Sequence, residues 1–307
     1  MFYVIGSDRP TTSAGEPKIL TPNARRRAVV KLEETFGVSQ RRACAVTGQA
    51  RSTPRLCTSP TDDEVELRRW LREFAKAHPR WGWKRAFQHR RREGHRVNKK
   101  RVQRLWRLEG LKVPYRKRRK PLRGVGAHVG AMCPIRPNAV WALDFQFDET
   151  SDGKQLKLLN AIDEFTRECL AIDVNRNMTA DDLTRLLDTL VALHGTPAFL
   201  RCDNGPEFAA YAIADWCRFN GSATVFIDPG SPWQNAWIES FNSRLRDEFL
   251  NGQRFDSLLE AQVLCTDWRD EYNSERLHSS LGYLTPIEFK EAWITQHQQR
   301  LSLALAH

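Results

Sequence analysis

Long apolar runs are missing from this chain, and none approaches the roughly 18 residues a membrane-spanning helix needs. Met1–Gly15 lacks a basic start followed by an apolar stretch, so it does not read as a secretory signal. Cysteine is sparse and scattered: seven residues, at 44, 57, 133, 169, 202, 217 and 265, form no C-x-x-C pair. That excludes a disulfide framework and a cysteine-rich zinc site, and leads us to expect a reduced, cytoplasmic protein. Histidine-rich metal ligation is absent as well. Internal repeats are missing, apart from two similar helical modules.

Charge is present in excess and is unevenly placed. The 307 residues carry a net charge of +11. Residues 1–137 hold 34 Lys and Arg against 11 Asp and Glu, whereas residues 138–307 hold 14 against 26. A basic half joined to an acidic half points to a polyanion-binding part attached to something else, with nucleic acid favoured over a merely solvated surface.

Residues 1–17 show no periodicity and read as a disordered leader. Residues 18–58 read as a helix-turn-helix module. Thr21-Pro22 opens a helix over Asn23–Phe36, with Ala28, Val29, Leu32 and Phe36 at helical spacing. Ser39 then caps Gln40–Val46, and a third short helix starts near Arg51. Arg41, Arg42, Arg51 and Arg55 are its candidate DNA contacts. Residues 59–114 read as a second helical DNA-binding module. Its helices run over Asp62–Ala77, around Lys84–Arg92, and over Lys99–Glu109 behind an Asn98 cap. Lys84, Lys99, Lys100, Arg101 and Arg104 are the candidate contacts there. Residues 115–137 read as a basic linker, with Arg116, Lys117, Arg118, Arg119 and Lys120 tracking a phosphate backbone. A solubilising or targeting tract is the other reading.

The pattern changes at residue 138. Val140–Phe147, Leu156–Ile162 and Leu170–Val174 read as strands, with a turn at Asp152-Gly153. Thr179 and Asp182 form a capping box before a leucine-rich helix. Ala198–Cys202 and Ala223–Ile227 are strands, Pro206–Phe219 and Asn235–Leu250 helices. The order βββαβαβα predicts an α/β core with a mixed sheet over 138–250. A helical extension follows over 251–307.

Three carboxylates sit where a metal site would want them. Asp144 lies mid-strand among Trp141, Leu143, Phe145 and Phe147, a costly position unless it is paired or bound to a cation. Asp203 follows the end of a strand, and Glu239 lies in a helix entered through a loop rich in Pro and Gly. Hard divalent ions such as Mg²⁺ favour such oxygen ligands. Asp163, Asp173 and Glu207 compete for the role, and any of them can equally be a cap or an ion-pair partner.

Several stretches then carry a family resemblance. They are Trp141-Ala-Leu-Asp144-Phe, Ile162-Asp-Glu-Phe-Thr-Arg167, Asp203-Asn-Gly-Pro-Glu-Phe208, Gly230 through Asn242, and His278 through Pro286. Val38–Cys44 and His78–Val113 match upstream, so about 20–290 is covered. The chain resembles the OrfB-type transposases of bacterial insertion sequences, whose catalytic core is retroviral-integrase-like. Thirty-five residues separate Asp203 from Glu239, as in the Asp, Asp, 35, Glu signature of that family.

The resemblance implies a ribonuclease-H-like fold and a catalytic triad of Asp144, Asp203 and Glu239. It implies Mg²⁺ or Mn²⁺, two ions per site, and cleavage of double-stranded DNA at element ends followed by strand transfer. It also implies at least a dimer on DNA, association with the nucleoid, and possible fusion to an upstream frame. The zinc module of retroviral integrases is not matched, because His78, His89 and His95 lack a C-x-x-C partner. On the last core helix Ile238, Phe241 and Leu245 are expected to face the sheet. Asn235, Glu239, Asn242 and Arg246 form a second stripe, with Asn235, Asn242 and Arg246 as candidate contacts to DNA near the scissile bond. Trp233 and Gln234 are placed to splay or stack a base. A metal-dependent nuclease without strand transfer, and a non-catalytic DNA-binding repressor, are the rival readings.

Overall fold

A computed structural model describes residues 22–52, 61–113, 134–202, 210–226 and 235–305. The chain divides into two compact units, Met1–Arg69 and Trp70–His307.

In the first unit α1 (Pro22–Phe36) and α2 (Gln40–Thr47) bury Val29, Ala43 and Cys44 against Leu32 and Val38. Ser39 occupies the N-cap of α2 but makes no side-chain cap bond. Gly48 closes the helix at φ +61°, a conformation glycine adopts without strain, and its carbonyl accepts from Arg25 Nη1 at 3.0 Å. Arg41, Arg42 and Arg51 are exposed. Arg55 and the third helix from residue 53 onward lie outside the described residues.

Helix α3 (Asp62–Ala77) straddles the division between the units. Within the second unit α4 (Trp83–Arg92) and α5 (Lys99–Leu108) follow. The Asn98 side chain caps α5 by accepting from the Lys100 N–H at 2.8 Å. Leu71, Trp81, Ala86, Val102, Leu105 and Trp106 are buried. Lys84, Lys99, Lys100 and Arg104 are exposed, and Arg101 is half-buried. The basic linker Arg116–Lys120 lies outside the described residues.

The rest of this unit is built on five strands: β1 (Val140–Glu149), β2 (Gln155–Asp163), β3 (Cys169–Asn175), β4 (Phe199–Cys202) and β5 (Ala223–Phe226). Their order is β3-β2-β1-β4-β5. The first three pair antiparallel as a meander, while β4 and β5 add parallel to β1. This mixed sheet with helices on both faces is the ribonuclease-H-like arrangement. Alternation along the strands divides the core. One face, including Trp141, Leu143, Leu159 and Ala161, is covered by α6 (Ala180–His194) and α7 (Ala210–Asn220). The other, including Ala142, Leu158, Ile162 and Val174, is covered by α8 (Ala236–Glu248) and α9 (Leu258–Ser274). Ile238, Phe241 and Leu245 face the sheet as the spacing predicts. Two 3₁₀ turns and α10 (Pro286–Leu305) complete the described residues.

Candidate active site

The candidate site lies where α8 packs along β1. Residues 142, 144, 146 and 148 share the face of β1 that α8 covers. Ala142 is buried there, and Asp144, Gln146 and Asp148 continue the row as a half-buried polar seam. Polar residues of α8 meet them. Asn242 Nδ2 donates to Asp144 Oδ2 at 2.8 Å. Arg246 Nη1 pairs with Asp148 Oδ2 at 2.9 Å, and its Nη2 donates to the Phe147 carbonyl. Since Asn242 lies alongside Asp144 and Arg246 alongside Asp148, α8 runs parallel to β1.

Asn160 completes the seam from β2. It is paired in register with Asp144 and is fully buried. Its Nδ2 donates to Asn242 Oδ1 at 2.8 Å and to Gln146 Oε1 at 3.3 Å, and Gln146 Nε2 donates to the Asn242 carbonyl at 3.3 Å. The Phe145 N–H donates to Asp144 Oδ1 at 2.9 Å. Asp144 is thus held by neutral amides on a rigid strand, a position that fixes its orientation. Asn160 and Gln146 were not singled out from sequence. An amide inside the apolar run Leu158–Ile162 was the available signal.

Glu239 lies in the first turn of α8, three residues before Asn242 and hence on the same side of the helix. It is exposed. Asn235 is buried at the head of the helix, with its Oδ1 accepting no hydrogen bond among the described residues. Asp203, Trp233 and Gln234 lie outside the described residues. Ala142 pairs with Arg201 in the parallel register of β1 and β4, and Asp144 and Asp203 each follow two residues later in sequence. The oxygen-only donor set of carboxylates and carboxamides suits a hard divalent ion better than a soft one.

Two of the competing carboxylates make contacts of their own elsewhere. Asp163 accepts from the N–H groups of Asn138, Phe165 and Thr166 at 2.6, 2.7 and 2.9 Å, which builds the β2–β3 turn. Burial raises its pKa above the usual carboxylate value. Asp173 accepts from Asn175 at 3.2 Å on β3. Glu207 lies outside the described residues. Among the described residues His78, Glu271 and Glu275 bring three ligand atoms within 4.8 Å of one another, and they share no residue with the predicted triad.

Beside the site, Arg201 of β4 holds Glu164 through Nη1 at 2.6 and 2.8 Å, with both residues buried. Burial raises the Glu164 pKa to about 7 against the opposing pull of Arg201. Arg167, at φ +63°, lies 3.1 Å from the Trp237 ring centroid.

The five-stranded mixed sheet with helices on both faces is the arrangement of an integrase-type core. Family models agree: two integrase core domain models match residues 134–232 and 220–286, and an HTH-like domain matches 61–119. The 39.2 kDa protein of insertion element IS476 from Xanthomonas euvesicatoria is 39% identical over 279 residues, covering 91% of this chain and 80% of that protein. The 31.7 kDa protein of insertion element IS407 from Burkholderia multivorans is 38% identical, covering 84% and 92%. The transposase for insertion sequence element IS904 of Lactococcus lactis is 29% identical, covering 50% and 62%. The chain belongs to this family, the integrase-core transposases of bacterial insertion sequences. No helix among the described residues is long and apolar enough to cross a membrane.

Proposed function

We propose that the chain cleaves double-stranded DNA at the ends of its insertion sequence and joins the freed 3′-hydroxyl to a second phosphodiester. The observation that supports this best is the Asn242–Asp144 contact, which sets the Glu239 side of α8 against the strand that carries Asp144. Asp144, Asp203 and Glu239 would hold one or two Mg²⁺ or Mn²⁺ ions. When bound, such ions activate the attacking oxygen and stabilise the leaving one. Asn242, itself held by Asn160, fixes the rotamer of Asp144, so the carboxylate is oriented before DNA arrives. Arg246 neutralises Asp148 at the far end of the seam and keeps that second acid from competing for a cation. The layer behind the seam is apolar and buried, which suits a reaction that depends on positioning and charge stabilisation. The exposed cations of α2, the Arg51 turn and α5 are the proposed phosphate contacts, and two chains act together on two DNA ends. Residues 18–58, 59–114, 115–137, 138–250 and 251–307 act in this reading as two DNA-binding modules, a basic linker, the catalytic core and its extension. The cytoplasm, at the nucleoid, is where it would work.

The test uses labelled duplexes that carry the element ends, incubated with Mg²⁺ or Mn²⁺. Nicked and joined products are expected. Nicking without joining would replace the reading with that of a nuclease. Binding without either product would replace it with that of a repressor.

A further inference from the structure

The helices around the segment Arg80–Arg92 read by charge count as DNA contacts, yet several of these cations are committed inside the protein. Arg80 Nη2 pairs with Asp247 Oδ1 at 2.7 Å, and Arg80 Nε donates to the Asp247 carbonyl at 2.9 Å. Trp81 Nε1 donates to Glu248 at 3.3 Å, and Arg85 Nη1 lies 3.4 Å from the same carboxylate. Glu248 is gripped from the other side by Arg276, through Nη2 at 2.6 Å and Nε at 2.7 Å. Asp247 and Glu248 are the last two residues of α8. The helix whose first turn carries Glu239 is therefore held at its far end by the connection between α3 and α4.

The chemistry of this knot favours positioning over bulk stability. The buried Arg276–Glu248 pair contributes little more than a well-packed apolar pair of the same size, because desolvation offsets most of the attraction, and the partly exposed Arg80–Asp247 pair contributes little through attraction alone. Its directional hydrogen bonds do fix register and angle. Burial alone would raise the Glu248 pKa, but Arg276, Arg85 and Trp81 outweigh it and hold the carboxyl below its usual value. The grip persists wherever the reaction would run. Helix α8 is 13 residues long and its N-cap residue makes no side-chain cap hydrogen bond, so the C-terminal grip joins the packing of Ile238, Phe241 and Leu245 in setting where the first turn points.

We propose that Arg80, Trp81 and Arg85 form a clamp that ties the segment matched by the HTH-like domain to α8 and so positions Glu239. This rests on the reading of Glu239 as catalytic. The three are positioning residues and touch no reacting atom. The clamp makes DNA held by α5 and the carboxylate on α8 parts of one lever.

The test is a charge swap in the full chain. Arg80→Asp and Asp247→Arg are made singly and together. Amide hydrogen exchange over residues 236–246 is read by mass spectrometry, alongside thermal melting, DNA affinity, and turnover and KM for an element-end duplex. The singles are expected to exchange faster across α8 and to lose at least about tenfold in turnover at nearly unchanged KM, since small misplacements are costly in such sites. The double variant is expected to recover much of both. Unchanged exchange in the singles contradicts the clamp. Faster exchange with unchanged turnover contradicts its catalytic consequence. If the wild type makes no product, the reading of Glu239 fails, and exchange alone still decides whether the clamp holds α8.

Discussion

At the scale of single residues, the seam makes sharp demands on side-chain chemistry. Asn242 gives Asp144 a charge-assisted hydrogen bond, which is worth roughly 1.5–3 kcal/mol. Asn242→Ala is expected to lower turnover about 10–100-fold while leaving DNA affinity nearly unchanged. Steady-state kinetics on an element-end duplex would check this. The Glu164–Arg201 pair bears on folding instead. Arg201→Met leaves a buried carboxylate without its main counter-charge and is expected to cost about 3–5 kcal/mol in urea unfolding. His278 links the fold to pH. Burial, then Arg276, Arg244, Arg85 and Arg167, lower its pKa to about 2, so it stays neutral in the fold. The unfolded chain takes up a proton below about pH 6.5. Stability from this group is therefore present above that value and lost as pH falls. At about pH 5.5 the loss is about 1 kcal/mol, and His278→Asn should remove it from the melting profile. Of these residues Asp144 was legible in the sequence, because a carboxylate amid aromatic neighbours on a strand demands a reason. Asn160 and Arg201 were not, since their partners come from distant segments that only the fold brings together.

At the scale of elements, periodicity carried most of the reading. The spacing of Ile238, Phe241 and Leu245 predicts the buried side of α8, and all three are at most 2% exposed. Phe241 also stacks edge-on against Trp268 and Tyr272 of α9. Phe241→Ala should therefore cost about 3–5 kcal/mol and loosen both helices, as urea unfolding can measure. The part α9 plays was not legible. Read along the chain it looks like an extension, yet Ala261, Cys265, Trp268 and Tyr272 seal one face of the sheet. Helical spacing says that a stripe is apolar and leaves open what it covers. The opposite stripe of α8 was read as facing the site and DNA. Asn242 meets the site through Asp144, whereas the charge on Arg246 is engaged by Asp148. Ser39 is a smaller case of the same limit, because residue type proposed a cap bond that its side chain does not make.

At the scale of the whole molecule, charge is divided as the proposed task is. The basic half carries an excess of 23 positive charges and the second half a deficit of 12. Electrostatic binding to a phosphate backbone weakens steeply with salt. Replacing the five cations Arg116–Lys120 by glutamine is expected to flatten the log–log salt dependence of DNA affinity by up to about 4.5, while cleavage at low salt persists. Net charge alone overstates the DNA surface, because Arg80, Arg85 and Arg92 are turned onto Asp247, Glu248 and Glu288. The central claim is narrower: Asp144, Asp203 and Glu239 act as one site. The most direct measurement is strand joining by the full chain with Mn²⁺, comparing wild type with Asp144→Asn, Asp203→Asn and Glu239→Gln one at a time. Each single change is predicted to lower joining by at least about 1,000-fold with DNA affinity intact, as for groups that work as a unit. Joining that survives any one of the three changes would contradict the account.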